Sequence, residues 1–533
     1  MMTRRDVLKG LGAGAAAALG LSAGYAGPLL RRERRPNVVL IVCDDLNDYV
    51  SGMAGHPQAR TPNVAKLARS GVAFRRAYSN NPICAPSRSS FLTGIYPHTS
   101  KNLFWDKWYT NPVLKNSKTI MEHFRDNGYH VAGSGKLMHH HRASEWSEFK
   151  HKADYGPFVY DGKNRVAHPS VPSPFSGIGP VDGSFAPLSD LPYGPDRKGN
   201  RGWIYGTWGK VKRFHYTDED HRDPTPDERN AAWAEGRIRQ FARQGGGKPF
   251  FLGVGFIRPH TPLHVPKRFF DMFPLKSVKV PVIKPRDAED CHYTDVFDGN
   301  QKGLKYFRLL KQSYPDLKSA LKAFTQAYLA SVAAVDDCIG RVVAAIDASR
   351  LKDNTIIVVT SDHGWNMGEK DYLFKNALWE ESTRVPLIIR APGVAAPGGV
   401  AEHPVSLIDI YPTLVDLCDL RGDTRKNGRG ARLDGHSLRP FLEDPESGTW
   451  KGPDAALTMI YAGKATGSDP ARQHWSVRTR RWRYILYNNG SEELYDHDAD
   501  PYEWTNLSGD TRCAKPKADL KAQLLRMTGR LED

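Results

Sequence analysis

Residues Ile83 to Arg88 read I-C-A-P-S-R and continue as Ser89-Ser90-Phe91-Leu92-Thr93-Gly94. Pro86 suits the first turn of a helix, where its missing N–H would lack a partner anyway. Cys84 is then placed just before a helix N-terminus, where free N–H groups and the helix dipole favour negative charge. Arg88, one turn further on, points a guanidinium to the same side. The set forms an anion cradle, in which an ordinary cysteine is expected to be a low-pKa thiolate. Two further motifs carry acids. The apolar run Val38 to Cys43 (VVLIVC) leads into Asp44-Asp45, and Thr355 to Thr360 (TIIVVT) leads into Ser361-Asp362-His363-Gly364. Carboxylates at the carboxyl ends of parallel strands border the crevice where such sheets bind ligands. Acids delivered by two strands to one rim suit a hard divalent cation, which prefers oxygen ligands. Alone, an Asp pair or an Asp-His-Gly turn is as readily a cap or a solvated turn.

The elements that must position these groups are legible as apolar runs. Besides the two above, Pro249 to Phe256, Val385 to Ile389 and the shorter Tyr129 to Ala132 read as buried parallel strands. Helical spacing appears in Pro62 to Ser70 and in Ser319 to Ile346, where Leu321, Phe324, Tyr328, Val332, Val335, Ile339 and Ile346 recur on one face. Strands alternating with helices indicate an α/β fold with a mostly parallel sheet covered on both faces. The stretch from His141 to Pro226, rich in Gly, Pro, Ser and Asp, reads as long loops over the sheet edge. His474 to Leu486 and Glu493 to Asp496 alternate like antiparallel strands, and Lys517 to Arg530 is helical, which makes a smaller C-terminal α+β subdomain. The expected organisation is therefore a leader over 1–35, a catalytic domain over 36–445 and the subdomain over 446–533.

The chain of 533 residues carries a formal net charge of +16, which favours encounters with anionic partners such as nucleic acid, anionic lipid or an acidic polysaccharide. No aromatic or helical docking motif for nucleic acid accompanies the charge. The 6 cysteines are scattered without a C-x-x-C pair, so neither a zinc ribbon nor a disulfide framework is implied, although an isolated disulfide stays open. Arg4-Arg5 before a short, small-residue apolar run read as a twin-arginine export signal. That run is too short and glycine-rich for a stable membrane span. The expectation is an exported protein, periplasmic or extracellular, that uses the twin-arginine machinery.

C-A-P-S-R followed by Thr93-Gly94 resembles the C-x-P-S-R signature of type I sulfatases of the alkaline phosphatase superfamily. The resemblance runs from Asn37 to Leu507. It takes in Thr61-Pro62-Asn63, Gly135-Lys136, Arg258-Pro259-His260, Leu407 to Leu414 and Asp434 to Leu438, and is closest to the iduronate-2-sulfatase-like branch. It implies a large mixed, mostly parallel sheet sandwiched by helices. It also implies a separate maturation enzyme that oxidises Cys84 to formylglycine, whose hydrate is the nucleophile. Asp44, Asp45, Asp362 and His363, with modified Cys84, are implied as ligands of one Ca2+. Many members carry Asn where His363 stands. Arg88 and Lys136 are implied to hold the diol and neutralise sulfate charge. His139, or its neighbour His140 or His141, is implied as the base, with His260 and Lys375 meeting the leaving oxygen. Trp365, His264 and Trp105, the last with Trp108 and Tyr109, are candidates to contact a sugar. His264 departs from the branch, which often has arginine there. The activity implied is removal of sulfate from a sulfated carbohydrate. The rivals are a phosphonate monoester or phosphodiester hydrolase with the same nucleophile, and a non-catalytic sulfated-glycan binder with unmodified cysteine.

Overall fold

β1 (Asn37–Asp44) is buried along its whole length, which is why its sequence lacks polar alternation. Its side chains divide between two apolar layers: Val39, Ile41 and Cys43 join one, and Val38, Leu40 and Val42 the other. In this computed structural model the described residues are 35–191, 201–206, 211–244, 247–446 and 448–530. The segment read as an export signal lies outside them. Arg35–Asp533 cluster as one compact unit.

The framework continues through α1 (Pro62–Ala68), β2 (Val72–Tyr78), α2 (Cys84–Thr93), β3 (His130–Gly135), α3 (Pro226–Arg243), β4 (Phe250–Pro259), α4 (Leu317–Asp347), β5 (Thr355–Ser361) and β6 (Arg384–Arg390). The nine-stranded sheet runs Gly399–Ala401, β2, β6, β5, β1, β4, β3, Glu148–Phe149, with Val405–Ser406 also paired to β2. β1 is parallel to β4 and β5, and β4 to β3. β6 is antiparallel to both β5 and β2. The expected parallel strand Val385 to Ile389 is thus reversed. A strand buried on both faces reads the same in either direction. Its sense is set by the connection, which here returns to the sheet at the end where β5 finished. The helix α4 buries Leu321, Phe324, Tyr328, Val332, Val335, Ile339 and Ile346 as its spacing requires. Asp316 caps its start through the Ser319 N–H at 2.7 Å.

The segment expected as loops holds a four-stranded antiparallel sheet of its own (Arg165–Val166, Phe158–Asp161, Arg201–Tyr205, Lys212–Arg213). Val159, Leu188, Trp203, Phe214 and Tyr216 close a separate small core beneath it. Strands this short show no usable periodicity, so composition alone misread them. All six cysteines are free.

β7 (Ala456–Ile460), β8 (His474–Arg478), β9 (Trp482–Leu486) and β10 (Glu492–Asp496) form an antiparallel meander. Leu520 and Leu524 of α5 (Ala514–Met527) pack on its Trp475, Val477 and Tyr484. The meander is bolted to the large sheet. The Met459 N–H donates to the Asn80 carbonyl at 3.0 Å, and Thr458 Oγ1 to the Ser79 carbonyl at 2.6 Å. A buried ionic network continues the seam. Arg483 bonds Glu380 and Glu503, and Arg478 Nε lies 3.1 Å from Glu380 Oε2. Burial alone would raise Glu380, but Arg478 and Arg483 outweigh it and hold the carboxyl well below its usual range. Replacing Arg483 by leucine takes one buried cation from each of two carboxylates, of which Glu380 keeps Arg478 and Glu503 keeps His497, and is expected to cost about 3 kcal/mol. A urea titration should show the midpoint falling accordingly, and an unchanged midpoint would contradict the network's role.

Candidate active site

The ends of four neighbouring strands deliver the chemistry. Asp44 closes β1, and Asp45 follows with φ of 63°, a left-handed conformation that aspartate tolerates. Two consecutive carboxylates thereby serve different partners, Asp44 bonding Lys136 and Asp45 bonding Lys375. β5 leads into Asp362 and His363, and β4 into His260. Gly135 ends β3 at φ +85°, and a Cβ there would lie 1.8 Å from the Gly255 carbonyl oxygen. Only glycine lets β3 pass β4 so closely, and Lys136 follows at once. Cys84 is itself the first residue of α2, with Ile83 as N-cap, so it sits within the helical turn rather than before it.

Cys84 is 1% exposed. Its Sγ lies 3.1 Å from Lys375 Nζ and 3.3 Å from His363 Nε2. Lys375 Nζ also reaches Asp45 Oδ1 at 2.7 Å. The expected thiolate is not what this surrounding favours. Burial, and then the Asp44 charge, push the Cys84 thiol up, and Lys136 and Lys375 offset only part of this. Arg88 is fully buried and its donors are committed. Nε reaches Asp362 Oδ2 at 2.7 Å, Nη2 reaches Asp44 Oδ1 at 3.3 Å, and Nη1 bonds the carbonyls of Lys136 and Leu137. It clamps two carboxylates and the end of β3 together rather than presenting a free fork to an anion.

The donor set fits a hard cation. Ligand atoms of Asp44, Cys84, Asp362 and His363 lie within 4.8 Å of one another, and those of Asp45, Cys84 and His260 form an overlapping group. Asp45 Oδ2 is buried without a hydrogen-bond partner, as expected of an atom reserved for a metal. Burial, with help from Asp44, pushes Asp45 up to about 8 despite Lys375. Asp44 is different: burial would raise it, but Lys136, His260, Arg88 and Lys375 hold it well below its usual range. His363 Nδ1 lies 3.1 Å from the Gly364 carbonyl oxygen, which as a hydrogen bond leaves Nε2 facing the Cys84 sulfur.

An open cleft of about 590 Å³ stands over Cys84. His139, His260 and Lys375 line it, together with Trp105. Burial, then Lys136, push His139 down to about 3, so its ring is neutral at ordinary pH. His141 also lines the cleft, whereas His140 offers only its carbonyl, to Trp108 Nε1–H at 2.9 Å. Trp105 is 42% exposed with its ring 4.9 Å from that of His139. Trp108 is buried and Tyr109 lies under Arg142. Two sugar-contact candidates fail on access. Trp365 is 3% exposed and packs behind the site against Phe374, with Lys375 Nζ 5.8 Å over its ring. His264 is wholly buried with both ring nitrogens engaged, Nδ1 at 2.8 Å from the Pro157 carbonyl and Nε2 at 2.8 Å from Ser184 Oγ. Their motif neighbours are at the site, but tertiary contacts hold these two side chains in buried surroundings. The cleft also uses residues the motifs did not reveal: Lys152, Tyr155, Asp182, Lys302 and Phe374. Tyr155 places its ring 5.1 Å from Lys136 Nζ and 4.9 Å from the His260 ring. The aperiodic, Gly-, Pro-, Ser- and Asp-rich character of the 141–226 stretch was the one available signal for the first three.

The sulfatase family model matches residues 36–420, and the N-sulphoglucosamine sulphohydrolase C-terminal model matches residues 368–530. A sulfatase of Formosa agariphila is 32% identical, covering 92% of this chain and 86% of that protein. The iduronate 2-sulfatase of Mus musculus is 29% identical, covering 89% of this chain and 91% of that one. In fold, the phosphonate monoester hydrolase of Agrobacterium radiobacter superposes with a TM-score of 0.67 at 24% identity, over 93% of this chain and 96% of that one.

Proposed function

The chain belongs to the sulfatase family and hydrolyses sulfate esters, and from that premise we propose that its substrate is a sulfated carbohydrate, attacked by a nucleophile made from Cys84. One observation carries the reading: Cys84 Sγ, Lys375 Nζ and His363 Nε2 meet at the floor of a basic cleft, among buried carboxylates. Formylglycine at position 84 would supply a hydrated carbonyl, an oxygen nucleophile able to release sulfate again, which a thiol is not. A calcium ion held by Asp44, Asp45, Asp362 and His363 would supply a Lewis acid beside the sulfate.

The chain's own groups do the remaining work. Lys136 and Lys375 stay protonated, because for each the nearby carboxylates and thiol outweigh a burial that would pull it down. They neutralise sulfate charge from the buried floor of the cleft. Arg88 holds Asp44 and Asp362 in register. Neutral His139 can accept a proton from the nucleophile side, and His260 with Lys375 meets the leaving oxygen. The exposed Trp105 ring offers a sugar face a stacking surface. The iduronate 2-sulfatase relative and the net charge of +16 support a sulfated carbohydrate as the class.

The twin-arginine leader adds a matter of timing. Cys84 is 1% exposed at the floor of the cleft once the chain folds, and this export route carries folded proteins. The modification therefore precedes export. The peptide bearing Cys84 is expected to be lighter than its thiol form by about 18 mass units, sulfur and two hydrogens exchanged for one oxygen, in both the cytoplasmic and exported pools. Matched aryl sulfate and aryl phosphate esters complete the test. Faster phosphate than sulfate hydrolysis would transfer the reading to a phosphoester or phosphonate hydrolase, and an unmodified thiol in active protein would end it.

A further inference from the structure

The catalytic cleft continues past the nucleophile. Lys152 lines it and also lines a second pocket of about 170 Å³, whose walls include Lys150, His151, Asp154 and Arg229. The chain path explains the continuity. After the edge strand Glu148–Phe149, Lys150 and His151 face the outer pocket and Lys152 borders both, while Ala153 and Tyr155 line the cleft. Five residues span at most about 17 Å, which bounds the distance from Lys150 in the pocket to Tyr155 in the cleft wall.

Lys150, Lys152, Arg229 and His151 outnumber Asp154, the carboxylate in this wall. Arg229 lies 5.0 Å over the Tyr205 ring. Asp154 Oδ1 accepts the Gly156 and Gly206 N–H groups at 3.0 and 2.7 Å. The positive field is felt locally: burial first, then Arg229, Lys150 and Lys212, push His151 down. An excess of positive charge gathered in a concavity favours a bound anion.

We propose that this pocket is a second anion subsite, which holds a sulfate or carboxylate on a sugar neighbouring the one being desulfated, so that the enzyme prefers oligosaccharides to monosaccharide sulfates. This rests on the sulfated-carbohydrate reading. The double variant Lys150→Ala/Arg229→Ala leaves the cleft floor intact. Binding of a heparin hexasaccharide, its chemically desulfated counterpart and a heparin disaccharide is followed by calorimetric titration, and kcat/KM is measured on p-nitrophenyl sulfate. The wild type is expected to bind the hexasaccharide more tightly than the disaccharide. The double variant is expected to lose about tenfold or more of that affinity, with kcat/KM on the aryl ester unchanged. If the desulfated hexasaccharide keeps the advantage, the subsite takes carboxylate; if it loses it, sulfate.

A control variant, Arg350→Ala/Lys352→Ala, removes the same charge from exposed positions before the amino end of β5, away from the cleft. An equal loss in the control, an unchanged double variant, or equal binding of the two lengths by the wild type would overturn the subsite. Absence of sulfate ester hydrolysis by protein with modified Cys84 would sink the proposed function instead. The binding comparison would still judge the pocket alone.

Discussion

Cys84→Ala is expected to lower turnover of every sulfate ester on the order of 10⁴-fold or more, because it deletes the atom from which the nucleophile is made. The fold should survive. Cys84 is small and buried at the start of α2, and the charge balance around it does not depend on the sulfur: Lys375 keeps Asp45, Lys136 keeps Asp44, and Arg88 keeps Asp362. The melting temperature should move by no more than roughly a few degrees. Turnover per active protein is the deciding measurement. If the alanine variant retains a tenth of wild-type rate, Cys84 is not the nucleophile. If it unfolds, the loss of rate says nothing, and Cys84→Ser, which keeps size and polarity, replaces it as the test.

His260→Ala and Lys375→Ala are expected to differ in a way that separates proton delivery from charge. His260 Nδ1 lies 2.5 Å from the Thr261 carbonyl oxygen, which as a hydrogen bond leaves Nε2 toward Asp45 Oδ2, 3.8 Å away. Burial, then Lys375, hold its ring well below the usual imidazole range, so it is neutral until an anionic substrate arrives. A sugar alkoxide leaves poorly and needs a proton, whereas a nitrophenolate does not. His260→Ala should therefore cost about 10²–10⁴-fold in kcat/KM on a sugar sulfate and far less on p-nitrophenyl sulfate. Lys375 touches both the nucleophile position and Asp45. Its removal subtracts a fixed positive charge and should depress both substrates by on the order of 10²–10³-fold. Equal losses on the two esters in His260→Ala would remove it from the leaving-group role.

The candidate site residues were legible in the local sequence because they sit in short segments. A strand that is apolar throughout and then turns acidic, as in VVLIVC-Asp44-Asp45, must end at the sheet's rim. Cys84 and Arg88 are one helical turn apart whatever surrounds them. The nonpolar face of α4 follows from side-chain spacing alone, and the burial of the central strands follows from runs with no polar alternation. Orientation and access are different quantities, set by contacts between distant segments. The reversal of β6 was decided by its connection. Arg88 was turned into a clamp by carbonyls of Lys136 and Leu137 nearly fifty residues away. The Cys84 thiol was raised rather than lowered because its burial, and then the Asp44 charge, outweigh Lys136 and Lys375. Trp365 and His264 lie beside active residues in the chain, yet face the core. The cleft wall of Lys152, Tyr155 and Asp182 comes from segments whose short strands and turns leave no periodic trace, and Lys302 opens the helix Lys302–Gln312, whose periodic face does not show what its first residue meets. Residue type and near spacing fix which groups a chain owns. Burial and long-range pairing alone decide which of them meet, and in what charge state.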